Sequence, residues 1–255
     1  HEVALINSVF QKGIRDYDVE KAYEAIRHVQ STPGRAHPGG GLVGNRQMEP
    51  YLRLGYVPHG EGTTKHHFGT KEEGPVSNTL EYAFDDWNVA QMAQALGKEA
   101  DATEFTRRAY NYKNVFDTQT GYVRPRLASG EWAEAKSKYG DAKRDDSWVG
   151  MGFIEGNAWQ YSWFVPHDVA GLVDLMGVEE FNSRLEKGFV QSSKSNFNAT
   201  GDLYVEFPIN HGNQPNMQAA YLFNYAGQPW KTQHWARELM YNYYGDNPVT
   251  GWPGD

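Results

Sequence analysis

The 255-residue chain has no cysteine. Disulfides, a thiolate nucleophile and a cysteine-held zinc site are therefore excluded, while the redox compartment stays open. Nor does any apolar run reach the length needed to span a bilayer. Charge of one sign is never gathered into a block: 32 acidic residues against 24 basic ones give a net charge of −8, spread along the chain. That distribution argues against nucleic acid and anionic membrane as partners. The chemistry-bearing motifs that are missing narrow the field further. Gly39-Gly40-Gly41 lacks the Lys-Ser/Thr of a phosphate loop and reads as a turn. His66-His67, with His59 nearby, lacks the i, i+4 spacing and the Glu-x-x-His of a zinc helix and reads as a solvated loop. No Ser/Gly linker interrupts the sequence, which points to one continuous domain over 1–255. Sustained period-two alternation is absent too, although 202–209 has the composition of a short strand.

What is present is helical periodicity. Apolar residues recur at helical spacing over about 3–11, 18–30, 78–96, 101–115, 167–176, 178–191, 216–226 and 231–244, predicting eight helices and an all-α fold. In 78–96, Leu80, Ala83, Phe84, Trp87 and Ala90 fall on one face and Glu81, Asp85 and Asn88 on another; Ser77 is the expected N-cap and Gly97 the expected stop. The connections 32–75 and 118–155 are long and rich in Gly, Pro, His and Tyr, a composition suited to ordered loops that build a site. Helical pairs joined by long loops fit an α/α toroid, with the pocket at the loop end.

The stretch Ile154–Asp168 carries the clearest chemistry. Glu155 is set among Trp159, Tyr161, Trp163 and Phe164. A carboxyl surrounded by rings is poorly solvated, its pKa rises, and it can remain protonated as a general acid near neutral pH. Flat rings, with Trp87 from the earlier helix, offer faces for the C–H side of a pyranose. A buried aromatic cluster with Glu155 as a cap or ion-pair partner is the other reading of the same residues. Asp168, beside Pro166 at a helix start, suits the helix dipole and leaves His167 to face the site. Asp85 and Asp86, adjacent on a helix, point about 100° apart and cannot easily share a partner. One of them is expected to be solvated or ion-paired, and the other to reach the pocket with Glu81. Arg124 and Arg126 flank Pro125 and read chiefly as structural ion-pairing residues.

Five motifs in order, covering most of the chain from about Tyr51 onward, resemble the calcium-dependent exo-α-mannosidases of glycoside hydrolase family 92. They are Ser77-Asn78-Thr79-Leu80-Glu81-Tyr82-Ala83-Phe84-Asp85-Asp86-Trp87, Gly121-Tyr122-Val123-Arg124-Pro125-Arg126, the Glu155-Gly156-Asn157-Ala158-Trp159-Gln160-Tyr161 signature, His211-Gly212-Asn213-Gln214-Pro215, and 221–233. The resemblance implies a partial (α/α)6 catalytic domain without the family's N-terminal β-sandwich and last helices, and so no turnover by these residues alone. It implies release of terminal mannose from glycans with inversion, which needs an acid and a base on opposite sides of the bond. Glu155 matches the acid; Asp255 would be the first residue of the acidic cluster that holds the base. A calcium ion beneath the sugar would draw on Asn213 and Gln214. Trp87, Asp85, Asp86, Trp159, Gln160, Tyr161, Trp163, His167, Asp168, His211, Asn213 and Gln214 form the implied substrate-contact set. Gln214 stands where the family more often has Glu, which removes a charge and leaves linkage specificity open. The resemblance also implies a secreted, periplasmic or cell-surface bacterial setting. A hydrolase of another sugar and a non-catalytic glycan-binding module are the competing readings.

Overall fold

The computed structural model describes residues 2–39, 42–60, 74–134, 152–154, 156–197 and 208–247. The chain divides into two compact units, 1–115 with 125–133 and 116–124 with 134–255.

In the first unit, α1 (Glu2–Gln11), α2 (Val19–Val29) and α5 (Glu99–Ala109) pack on the long α4 (Pro75–Ala95). Asp18 opens α2 by accepting a hydrogen bond from the Lys21 amide at 3.0 Å, satisfying one of the free donors of a helix start. Between α2 and α4 lie a two-residue antiparallel pair, β1 (Arg35–Ala36) with β2 (Leu42–Val43), and a short helix α3 (Met48–Leu54). The latter is closed by Gly55 at φ 76°, a left-handed backbone that favours glycine.

Helix α4 departs from its expected start and faces. Gly74 rather than Ser77 is its N-cap, and Pro75 takes the first turn, where its missing N–H costs nothing. Ser77 is buried inside the helix. The stop is as expected: Gly97, at φ 70°, follows the last turn. The supposed polar face is not solvated. Asp85, Asp86 and Asn88 are buried along with Leu80, Ala83 and Val89, because neighbouring helices cover α4 on more than one side.

Val3, Phe10, Tyr23, Ile26, Val89, Met92 and Phe105 form the apolar centre of this unit. Each large side chain buried there contributes roughly 1.5–3 kcal/mol. Asn7 donates to Asn88 Oδ1 at 2.9 Å across it, while Asn88 Nδ2 donates to the Phe84 carbonyl and Gln11 to Asn7 Oδ1, so both buried amides are satisfied. The expected single helix 101–115 splits: α5 ends at Ala109 and a 3₁₀ segment, Tyr110–Val115, follows.

The second unit opens with the hairpin β3 (Phe116–Asp117) and β4 (Tyr122–Val123), registered Phe116 to Val123 and Asp117 to Tyr122. It continues through α6 (Ala158–Tyr161), α7 (Val169–Met176) and α8 (Val178–Ser193). Two 3₁₀ segments follow, Gln214–Asn216 and Ala219–Asn224, and then α9 (Pro229–Asn242). The expected helix over 216–226 is thus a 3₁₀ run, packed on α9 and tied to it by the Thr232 hydroxyl donating to the Ala220 carbonyl at 2.7 Å. Phe189 stacks on Trp235 at 5.1 Å and meets Phe197 and Phe223, joining α8 to α9. The strand expected at 202–209 falls mostly outside the described residues.

Candidate active site

The signature segment is built around a forced glycine. A Cβ on Gly156 would lie 2.7 Å from the Tyr161 ring and 3.0 Å from Gln160 Oε1. Directly after it, Asn157 has an extended backbone (φ −148°, ψ 174°), and its side chain accepts from the Gln160 amide at 3.0 Å, capping α6. Tyr161 reaches back to donate its hydroxyl to the Ile154 carbonyl at 2.8 Å. The residues flanking Glu155 are thereby pinned on both sides. Glu155 itself, like Asp255, lies outside the described residues.

The rings have different exposures. Tyr161 is buried, with Phe153 and Phe164 against it, and Trp163 is 2% exposed, edge-on to Phe181 at 5.3 Å. Trp159 is half-buried and, among the described residues, has no ring packed on it. Its neighbour Gln160 is buried. Trp159 lines a cavity of about 310 Å³ with Tyr122, Trp163, Arg184, Lys187 and Gln191. Ser162 connects α6 to the hairpin: its Oγ accepts from the Val123 amide at 3.0 Å and donates to the Ala158 carbonyl at 2.6 Å. Asp168 caps α7 by accepting from the Gly171 amide at 3.0 Å; His167 beside it is half-buried.

The His211–Asn213 turn is tied to the signature through one amide. Asn216 Nδ2 donates to the Gln160 carbonyl at 2.8 Å, and its Oδ1 accepts from the Asn210 amide at 2.9 Å. His211 is buried, with Nε2 2.8 Å from the Tyr244 hydroxyl; burial lowers its pKa and favours the neutral ring. Asn213 is buried and Gln214 exposed. Both carry the hard amide oxygens that calcium takes. They are only two donors, however, and no group of three His, Cys, Asp or Glu that could hold a metal occurs among the described residues.

Asp85, Asp86 and Trp87 belong to the first unit. The 100° offset separates the two acids. Asp86, fully buried, takes both Arg108 donors together with Tyr51 and Gln30. Asp85 shares none of these; burial pushes its carboxyl up to about 6, and that of half-buried Glu81, one turn earlier, to about 7. Trp87 is half-buried and stacks on Phe84 at 6.3 Å. Arg124 pairs with Asp117 at 3.1 Å, as an ion-pairing residue should. Arg126 instead donates to the carbonyls of Gly130 and Asn114.

Asn216, Arg184, Lys187 and Gln191 are absent from the sequence-derived site. For the last three the available signal was a polar stripe on α8, which reads as a solvated face.

The catalytic-domain model of glycosyl hydrolase family 92 matches residues 1–255, the whole chain. The chain belongs to this family. An α-mannosidase of the family from Bacteroides thetaiotaomicron is 31% identical, with TM-score 0.75 over all of this chain and 29% of its own. An inverting mannosidase of the family from the same species is 34% identical, with TM-score 0.78 over 99% of this chain and 33% of its own. A curated protein of Arthroderma benhamiae, described as an uncharacterized secreted glycosidase, is 25% identical over 98% of this chain and 32% of its length. The chain thus spans about a third of the length of the relatives it matches. The expected fold class, all-α and part of an (α/α)6 barrel, agrees with these neighbours.

Proposed function

We propose that this chain is part of an exo-acting, inverting α-mannosidase that releases terminal mannose from glycans. The observation that carries the reading is the pinned signature: Gly156, the Asn157 cap and the Tyr161–Ile154 bond fix the backbone on either side of a carboxylate in a family-92 chain. In this reading Glu155 holds a proton for the departing sugar oxygen, and a second carboxylate, Asp255 or a neighbour, takes one from the attacking water. Trp159 offers a face to a sugar of the glycan, while buried Tyr161 and Trp163 hold the wall behind it. Gln160, His167, Asp168, His211, Asn213 and Gln214 complete the proposed contacts of the second unit, whereas Asp86, saturated by Arg108, Tyr51 and Gln30, is a structural ion-pair residue rather than a substrate contact.

Calcium, when bound, would neutralise charge and help hold the sugar in a distorted ring. The oxygen donors Asn213 and Gln214 suit it in kind but supply two of the roughly six to eight ligands it takes, so others must come from elsewhere in the protein. The proposed setting is secreted, periplasmic or at a bacterial cell surface. The secreted description of the Arthroderma benhamiae relative supports its outward-facing part.

Glu155→Gln in the full-length enzyme tests the reading. A poor sugar leaving group needs the acid, so kcat on a natural mannobiose should fall at least about 10²-fold, while an activated aryl mannoside loses much less. Equal small losses on both substrates would overturn the assignment.

A further inference from the structure

The cavity between the β3–β4 hairpin, α6 and α8 has features of a carbohydrate site, yet its described lining residues include no carboxylate to cleave a glycosidic bond. None of its described lining residues is Asp, Glu or His. At about 310 Å³ it lies at the lower end of the ~300–1,000 Å³ range of small-molecule sites, with room for one sugar ring.

Its walls are rigid. Trp163 is locked against Phe181. Arg184 lies 3.9 Å over the Tyr122 ring, donates to the Gly121 carbonyl at 2.6 Å and pairs with Glu180 at 2.7 Å, so its charge is balanced and its donors are largely committed. Gly188 in the floor lets Pro208 and Ile209 approach; a Cβ there would meet them at 3.2–3.4 Å. Against these fixed walls stand groups with no partner among the described residues. Lys187 and Gln191, one turn apart on α8, are exposed and hold neither an ion pair nor a hydrogen bond there, and the half-buried Trp159 carries no other ring. An aromatic face beside an ammonium and an amide matches the two sides of a pyranose, C–H bonds on one and hydroxyls on the other.

We infer that this cavity is a non-catalytic subsite for a neutral pyranose of the glycan other than the one released, held on Trp159 with hydroxyls on Lys187 and Gln191. The inference rests on the hydrolase reading for its place in the substrate, but not for its binding chemistry. The ammonium acts as a hydrogen-bond donor rather than as a counter-charge.

The test uses Lys187→Ala with Gln191→Ala, exposed helical positions where alanine keeps the helix. Binding of α-mannotriose to the full-length protein is followed by tryptophan fluorescence, and turnover is measured on mannotriose and on an aryl α-mannoside carrying a single sugar. The double variant should bind mannotriose about tenfold more weakly and raise its KM similarly, with kcat on the aryl mannoside unchanged. Unchanged mannotriose binding, or no binding by either protein, overturns the subsite whatever the activity. If neither substrate is turned over but the variant still loses mannotriose affinity, the hydrolase reading falls and the subsite stands.

Discussion

Arg108 closes on Asp86 with two hydrogen bonds, of 3.0 and 2.6 Å, where almost no solvent reaches either side chain. Tyr51 adds a donor at 2.7 Å and Gln30 another at 2.9 Å, so the carboxylate is saturated. Removing one member of such a pair leaves a buried charge without a partner. Arg108→Met should therefore destabilise the first unit by about 3–5 kcal/mol, read from the urea midpoint of the chain. A loss below about 1 kcal/mol, the range of exposed pairs, would show that water reaches Asp86 in solution.

A second prediction concerns Gly156. The Tyr161 ring that a Cβ would strike is held at its hydroxyl and by Phe153 and Phe164, so it cannot simply swing aside. Gly156→Ala should cost about 1–3 kcal/mol and displace the backbone beside Glu155. Activity of the full-length enzyme should fall further than stability explains, at a temperature where the variant is fully folded. Full activity there would mean that the turn tolerates a side chain.

Glu81 sets a pH dependence. Burial first, and the Asp85 charge second, raise its folded-state pKa to about 7. In the unfolded chain it titrates near 4.3, so the folded state binds the proton more tightly. Stability from this group is complete below about pH 4 and is lost as pH rises through 7, by at most about 4 kcal/mol. Glu81→Gln should flatten that part of the profile and be more stable than the wild type at about pH 8, as denaturant midpoints across the range would show. A parallel decline in both proteins would place the titration elsewhere.

The metal proposal predicts that a chelator abolishes turnover by the full-length enzyme and that Ca²⁺, but not Zn²⁺, restores it, since the donors are hard oxygens. Undiminished activity in excess chelator would remove calcium from the mechanism.

Much of the helical order was legible because it depends on spacing alone. Helices α1, α2, α7, α8 and α9 fall close to the periods read from their apolar residues, and Asp168, placed at a helix start by its position, is the residue that caps α7. Short elements were not legible. The seven residues of α3 sit between Gln47 at φ 53° and Gly55 within a Gly- and Pro-rich connection, too few turns for a period to register. Ser77 looked like a cap because caps are read from side-chain type, whereas Pro75 had already set the first turn. Two apolar runs expected as α-helix tighten to 3₁₀, at Tyr110–Val115 and Ala219–Asn224; residue spacing barely distinguishes 3.0 from 3.6 over six residues. Of the site, the signature turn was readable from local sequence. The cavity was not, since Tyr122, Trp159 and Lys187 meet only through tertiary packing.

Asn216 has both ends of its amide engaged, one on the Asn210 amide and the other on the Gln160 carbonyl. The side chain therefore works as a tie-rod between the His211–Asn213 turn and α6, each of which carries proposed ligand contacts. Pulling the His211–Asn213 turn towards a ligand must tug on the helix that bears Trp159, or break a buried hydrogen bond. Any gain in sugar affinity when the turn is occupied must then be matched by an equal gain in the turn's affinity when sugar is bound.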